Sequence, residues 1–523
     1  GCERWPGSVT YRRAVRDSTL GSSRWLHALA LGVVVAVSGV LAVLLHRNGH
    51  TQGDDFALYI RQARSLFDGD VGAVVADNRF AVLNSDSAFS PIAYPWVWPL
   101  LLSPFVFLWD YDYDRLKLVE VMVFMVWLVL LHGIVRRRLG RTAALAVVAV
   151  IGTAPLYLEH TDELLTEFPY LAAVAIFLWW YDRIRAHATL LTASRAELVT
   201  LGAFVTLAFN VRREGLVLVG VIAVMQLYDL LVSAGHPVRI DGVIERVRTT
   251  WSALVTPFVA FGVSAAAFQL VLPTALFPDN GNSTQFIDDR LGEYPEILTD
   301  QLGLGEHPLL GIAILGLAAA GAVIGVHKRP ALDAPLLLLT LASALAISTH
   351  LRKVDRYWFQ ITPWVVYFCA VALLAAGALV IRRHHTIGRL VAVVPLVAIV
   401  MAHLVVLPGK VGDAREFDAA GRVQSGPSNP SVAPIFEAVS TLTPPDAVIA
   451  YFRARTMTLL TDRRSFQTKN LERIAQNADY FAQRRNSTFW QPTLELGEAR
   501  RAGFEEVWSN ASWILWRTPR DDD

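Results

Sequence analysis

Apolar residues gather along this chain in long runs, near positions 25–46, 117–135, 142–158, 168–182, 197–210, 214–232, 251–272, 308–326, 333–349, 358–381 and 389–407, with polar stretches between them. Roughly 20 predominantly apolar residues are enough for a helix to cross a bilayer. The pattern predicts an all-α polytopic membrane protein with about eleven transmembrane helices, the run at 197–210 being a short one. The first run, Trp25 to Leu45, is too long for a signal-peptide core and lacks a small-residue cleavage site, so it reads as a retained anchor.

Lys and Arg between the runs set an orientation. With the N-terminal tail, 1–24, in the cytoplasm, Arg12, Arg13 and Arg16 lie inside. So do Arg136-Arg137-Arg138, Arg183, Arg185, Arg246, Arg248, Lys328-Arg329 and Arg382-Arg383, so that every alternate loop is basic on one side. The extracytoplasmic face then receives a long first loop, 47–116, a short second loop, 159–167, connections at 273–307 and 350–357, the hinge 210–214 and the C-terminal tail. The expected location is the inner or plasma membrane.

In the first loop, Phe56, Ile60, Ala63 and Phe67 recur at helical spacing, with Arg61, Arg64 and Asp68 off that face. This predicts an amphipathic helix over 55–68 lying flat on the membrane surface. Asp54 falls in its N-cap region and Asp55 in its first turn, where a carboxylate complements the helix dipole. Tyr94 to Pro104 is apolar but broken by three prolines, which predicts an interfacial or re-entrant segment.

The expected domains are a transmembrane domain over 25–410, a linker over 411–430 marked by Gly426-Pro427-Ser428-Asn429-Pro430, and a small soluble α/β domain over 431–523. In that tail 447–452 and 513–516 read as strands, and a helical stretch carries Met457, Leu459 and Leu460. Nothing in it stands out as catalytic.

Composition agrees: of 523 residues, 54% are hydrophobic and 18% charged. A net charge of +1, with basic residues spread between the apolar runs, argues against a nucleic-acid partner. Of the two cysteines, Cys2 lies at the extreme N-terminus and Cys369 inside an apolar run, so no disulfide or zinc spacing exists.

Adjacent carboxylates at a lipid–water boundary are disfavoured by desolvation and mutual repulsion unless something uses them. Asp54-Asp55 is such a pair. The same face collects Asp162, Glu163 and Glu167 early in the chain and Arg212, Arg213, Arg352 and Arg356 later. Brought together, they would form a pocket with carboxylates for a hydroxyl and guanidinium groups for a phosphate. Asp288 and Asp289 sit on a long loop and read as ordinary surface.

An acidic pair just after the first span, a following interfacial helix, a Tyr-Pro segment at 94–95 and a short acidic loop before the fourth span together resemble the GT-C glycosyltransferases. The nearest resemblance is to bacterial lipid-linked-sugar transferases akin to protein O-mannosyltransferases and the aminoarabinose transferase of lipid A. Arg212-Arg213-Glu214-Gly215 and Asp355-Arg356-Tyr357 resemble positions where that family carries basic residues. The resemblance covers roughly 25–410. It implies an inverting transferase that passes a sugar from a polyprenyl-phosphate-linked donor to a glycan, lipid or protein acceptor outside the cytoplasm, with an acidic residue of the first loop as base. Asp54-Asp55 departs from the Asp-Glu pair of the protein mannosyltransferases, which leaves the acceptor class open. The Trp-Trp-Asp-Tyr-Gly signature of oligosaccharyltransferases is absent; Trp179-Trp180-Tyr181-Asp182 imitates it at a cytoplasmic end and reads as an aromatic belt.

The chemistry explains the mixture of charges. A polyprenyl phosphate is a good leaving group that needs charge stabilisation, which arginines supply. The acceptor hydroxyl must lose a proton as it attacks, which a carboxylate supplies. Asp54 and Asp55 are the candidate bases, Asp54 placed first, with helix capping as its competing role. Asp162, Glu163 and Glu167 are candidates for binding the acceptor or a divalent cation, Mg or Mn, with Asp54, Asp162 and Glu163 as its ligands. Tyr59, Arg212, Arg213, Arg352, Arg356 and Tyr357 complete the substrate-binding set. The alternatives are a secondary transporter, disfavoured because no repeated halves exist and the charges lie at span ends, and a non-catalytic scaffold of envelope assembly.

Overall fold

The computed structural model describes residues 24–86, 89, 91–233, 236–237, 239–274, 289–348, 354–381, 385–485, 487 and 489–519. Arg12, Arg13, Arg16, Cys2, Asp288, Arg352 and Arg382-Arg383 lie outside them.

The apolar runs are helical over most of their described length, those at 142–158 and 358–381 being each divided in two. Eight helices among the described residues are long and apolar enough to cross a membrane: Trp25–Leu45, Tyr113–Leu139, Arg213–Leu231, Ile240–Val271, Pro308–Lys328, Pro330–Ser348, Thr362–Val380 and Val393–Ala419. The pair Arg141–Gly152 and Pro155–Asp162 bends by 60° and makes a ninth crossing if taken as one span. The bend follows from Pro155, which lacks a donor for the preceding turn and starts the second helix. Glu167–Arg185 carries charges at both ends, and Arg195–Phe209 has only 15 residues, so neither meets the same criterion. The chain is an all-α polytopic membrane protein with a small C-terminal sheet domain.

The arginine-rich end of the bundle is tied by a buried knot. The Arg138 guanidinium grips both oxygens of Asp182 and lies 3.6 Å from Asp333. Asp333 also receives Arg329 at 2.8 Å and the Tyr367 hydroxyl at 2.6 Å. Asp182, the last residue of the Trp-Trp-Tyr-Asp string, is thus the carboxylate that joins Glu167–Arg185 to Tyr113–Leu139.

At the opposite end the first loop folds into helices Asp55–Asp68, Val71–Asn84 and Val97–Trp109. Gly69 ends the first in the left-handed region, at φ 76°, and donates its N–H to Ser65 O. The apolar stripe of Asp55–Asp68 does not lie on lipid. Phe56, Ile60 and Ala63 are buried with Trp98, Leu102 and Leu116, and with Leu459 of the tail; Phe67 alone of the stripe stays exposed. An apolar stripe asks only to leave water, and here protein covers it.

The last long helix runs through to Ala419. In the tail, β1 (Val448–Ala450), β2 (Arg464–Phe466), β3 (Tyr480–Arg484), β4 (Glu505–Ser509) and β5 (Trp513–Arg517) form one sheet in the order β2-β1-β3-β5-β4. β1 runs parallel to β2 and β3, while β5 is antiparallel to both neighbours. Trp513 and Leu515 face one apolar layer, Ile514 and Trp516 the other, which explains an unbroken apolar run in a central strand. The tail meets the first loop directly: Phe80 and Phe466 rings lie 6.4 Å apart, and Asp86 accepts from Thr468 Oγ1 at 2.7 Å.

Candidate active site

Arg356 is where separate parts of the chain meet. It lies in the turn Asp355–Gln360, fixed by Gln301, whose Nε2 donates to Asp355 O at 2.7 Å, and by Trp358 stacked on Tyr294 at 4.2 Å. Its guanidinium stands 3.1 Å from Glu167, 3.6 Å from Glu163 and 3.7 Å from Asp55. Burial works against its charge, but Glu167 and then Asp55 outweigh that and raise its pKa further. Tyr357 lies beside it and beside Arg212, whose guanidinium is 5.4 Å from the ring.

The second loop is held so that Glu163 and Glu167 face this arginine. Leu164 N–H donates to His50 Nε2 at 3.1 Å and Leu165 N–H to Glu120 at 2.6 Å. Burial lowers the His50 pKa to about 4, so the ring is neutral and its Nε2 is free to accept. Burial would raise the Glu167 pKa, but Arg356 and Arg212 together hold it below the ordinary range.

Arg212 comes from the hinge after Arg195–Phe209. Its guanidinium reaches Glu167 and Glu214, each at 2.9 Å. The following turn presses so closely on the helix that a Cβ on Gly215 would stand 2.5 Å from Phe209 N and 2.6 Å from Ala208 C. Only glycine fits there, which accounts for the Arg-Arg-Glu-Gly string. Arg213 turns elsewhere: it donates to Thr274 Oγ1 and lies over the Phe209 ring.

The two aspartates have different surroundings. Asp55 Oδ1 accepts from the Tyr94 hydroxyl at 2.5 Å, and Tyr94 OH in turn accepts from Arg455 Nη1 at 2.9 Å. Tyr94 is clamped by Gln62, which donates to its carbonyl at 2.9 Å and accepts its N–H at 3.1 Å. Tyr59 packs on Tyr94 with ring centres 4.6 Å apart; burial raises its pKa well above the tyrosine range, so its hydroxyl stays neutral.

Asp54 sits at the N-cap position of Asp55–Asp68 but does not cap that helix. It accepts instead from Thr456 N–H at 3.0 Å, Thr456 Oγ1 at 3.1 Å and Arg455 N–H at 3.4 Å, which are the first-turn donors of the tail helix Ala454–Thr461. Its burial raises its pKa, against the opposing pull of Arg455 and Arg453. Asp54 is therefore a docking group across 402 residues of sequence. Asp54→Ala is expected to loosen the tail by about 1 kcal/mol, read as faster amide exchange at 454–461 in the full-length protein; unchanged exchange would count against this role.

Asp162 also stands apart from Arg356. It is held by Lys117 at 2.9 Å, by Arg47 at 3.4 Å and by Gln424 Nε2 at 3.0 Å, a buried latch between the first loop, the second loop and the tail linker. The three carboxylates proposed for a cation, Asp54, Asp162 and Glu163, thus face three different sets of donors. Among the described residues no group of three or more His, Cys, Asp or Glu is placed to hold a metal ion.

Arg455 is the site residue that sequence reasoning missed. It is buried, donates from Nε to Asn78 at 3.1 Å and from Nη2 to Pro91 O at 2.9 Å, lies over the Tyr94 ring, and comes within 3.6 Å of Asp55. One signal was available. An arginine in the first turn of a helix opposes the helix dipole unless an anion faces it.

No protein-family profile and no curated protein matches this sequence. Solved structures do. ArnT from Cupriavidus metallidurans, bound to undecaprenyl phosphate, aligns over 95% of this chain and 98% of its own at 14% identity, with a TM-score of 0.56. The Archaeoglobus fulgidus oligosaccharyltransferase in the apo form aligns over 96% and 75% at 12% identity, with a TM-score of 0.55. The same organism's AglB, in complex with an inhibitory peptide and a dolichol-phosphate, aligns over 96% and 75% at 13% identity, with a TM-score of 0.50. The likeness extends over nearly the whole chain, so the fold is like that of these two transferases.

Proposed function

We propose that this protein is an inverting glycosyltransferase that takes a sugar from a polyprenyl-phosphate carrier on the extracytoplasmic face of the membrane, with Asp55 as general base. The observation that carries this reading is the meeting of Asp55, Glu163 and Glu167 around Arg356, all within 4 Å of one guanidinium, from three connections that the sequence places on one side of the bundle. Structural neighbours bound to undecaprenyl phosphate and dolichol-phosphate support the donor class.

In the proposed step an acceptor hydroxyl attacks the anomeric carbon as its proton passes to Asp55 Oδ. The bond from that carbon to the phosphate oxygen breaks, and its electron pair leaves with polyprenyl phosphate. Displacement in a single step from the opposite side inverts the anomeric centre. The donor diester carries one negative charge and the departing monoester gains another, so guanidinium groups beside it favour the transition state over the ground state. Arg356 and Arg212 are assigned to that phosphate, with Tyr357 between them. Tyr94 and Arg455 orient the Asp55 carboxylate. Glu163 and Glu167 hold the arginines in the meantime and line the acceptor side; Tyr59 supports Tyr94. Asp54 and Asp162 are assigned to positioning, and no step passes through a metal ion.

The test is turnover of lipid-linked sugar. Purified protein in nanodiscs, given a panel of polyprenyl-phosphate sugars and envelope extract as acceptor, is expected to release free polyprenyl phosphate from one donor. A full panel left intact by well-folded protein would overturn the reading.

A further inference from the structure

The triple arginine 136–138, at the end of the bundle away from Arg356, divides three ways. Arg138 is committed to the buried knot with Asp182 and Asp333. Arg137 lies 5.6 Å from the Trp179 ring centre and donates to Trp179 O. Arg136 is exposed, makes no salt bridge among the described residues, and lines a cavity of about 760 Å³ together with Arg141, His27, His132 and Trp179.

The cavity has an unusual polar wall. Among the described residues no carboxylate lines it. His132 is only 6% exposed, yet its Nε2 has no hydrogen-bond partner among the described residues, and neither does Nε2 of the half-buried His27. Buried polar nitrogens without partners are disfavoured, and the few that occur call for an explanation. Two guanidinium groups with no acid beside them among the described residues, and two imidazoles in the same wall, make a site that asks for an anion.

The remaining wall is apolar, with Leu31, Val129 and Leu130. These residues belong to the helices Trp25–Leu45 and Tyr113–Leu139, so the cavity lies between spans, at the level where their charged ends begin. A free phosphate would leave that apolar wall bare. The volume is also several times what one inorganic anion fills, given the ~30 Å³ share of a water molecule. An amphipathic anion meets both walls at once.

We propose that this cavity binds the phosphate headgroup of an anionic phospholipid, with Arg136 and Arg141 on the phosphate and the acyl chain along Leu31, Val129 and Leu130. The site is distinct from the Asp55–Arg356 cluster and stands whether or not sugar transfer occurs there.

The test uses the full chain in detergent, stripped of lipid and offered phosphatidylglycerol, phosphatidylcholine or inorganic phosphate, with bound species counted by native mass spectrometry. Phosphatidylglycerol is expected to bind at least tenfold tighter than phosphatidylcholine, and inorganic phosphate at equal concentration not to displace it. Replacing both arginines, Arg136→Gln with Arg141→Gln, is expected to weaken phosphatidylglycerol by roughly 30-fold, and Arg136→Gln alone by roughly fivefold should the double variant not fold. Equal retention of the two lipids by the unaltered protein, displacement by inorganic phosphate, or variants that keep the preference would each overturn the proposal.

Discussion

Asp55→Asn is expected to lower sugar transfer by ~10²–10⁴-fold, the usual share of a positioned general base, while leaving donor binding intact or tighter. The asparagine amide oxygen still accepts from Tyr94, so the first-loop helix keeps its place. What is lost is the proton acceptor and one of the three negative charges around Arg356. With one competitor removed, Arg356 meets a donor phosphate more readily, so KM holds or falls as kcat drops. A residue of merely structural importance would not split the two constants in this way. Asp54→Asn supplies the contrast: its amide oxygen still accepts from Thr456, and transfer is expected to stay within a few-fold of the unaltered protein. Kinetics with a fixed donor decide between the neighbours, and the reverse ranking would transfer the base to Asp54.

Arg356→Ala is expected to cost kcat by a further ~10²–10³-fold, as when one charge-stabilising donor is removed from a preorganised site. The loss arises because the leaving phosphate gains charge as the bond breaks, so the arginine matters more to the transition state than to the bound donor. Glu167 would keep Arg212 at 2.9 Å, so its burial is still partly compensated. Arg356→Lys keeps the charge but loses the planar fork that reaches Asp55, Glu163 and Glu167 at once, and only partial recovery is expected. Thermal unfolding of both variants separates rate from fold: a kcat loss with an unchanged Tm supports the assignment, and unaltered kcat in Arg356→Ala sinks it.

Much of the helical framework was legible because crossing a membrane imposes one simple requirement, a long apolar run, and most such runs are single helices, the run 142–158 being broken at Pro155. The candidate site was legible at the level of loops. Asp55, Glu163, Glu167, Arg212 and Arg356 were readable as charges collected on one face, and the structure brings them together. What escaped was direction. Adjacent residues on a helix start point about 100° apart: Asp54, placed first as base from the sequence, turns onto the backbone of the tail helix, while Asp55 meets Tyr94, Arg455 and Arg356. Asp162 and Glu163 divide in the same way, the first onto Lys117 and the second onto Arg356. Amphipathicity told that one face of 55–68 leaves water, not whether lipid or protein receives it. For Arg455 the only local signal was its place in the first turn of a helix, which says that an anion faces it but not which one: its partner Tyr94 lies 361 residues earlier.

The central claim is that one phosphate-binding centre at Arg356 faces one base at Asp55, and its most direct test is the position of the phosphate itself. A cryo-electron microscopy structure of the full chain with undecaprenyl phosphate would show it. The phosphate is expected within hydrogen-bond distance, about 3 Å, of the Arg356 and Arg212 guanidinium groups, with Asp55 still joined to Tyr94 on the open side. A phosphate bound elsewhere, with Asp55, Glu163 and Glu167 still closed around Arg356, would contradict it.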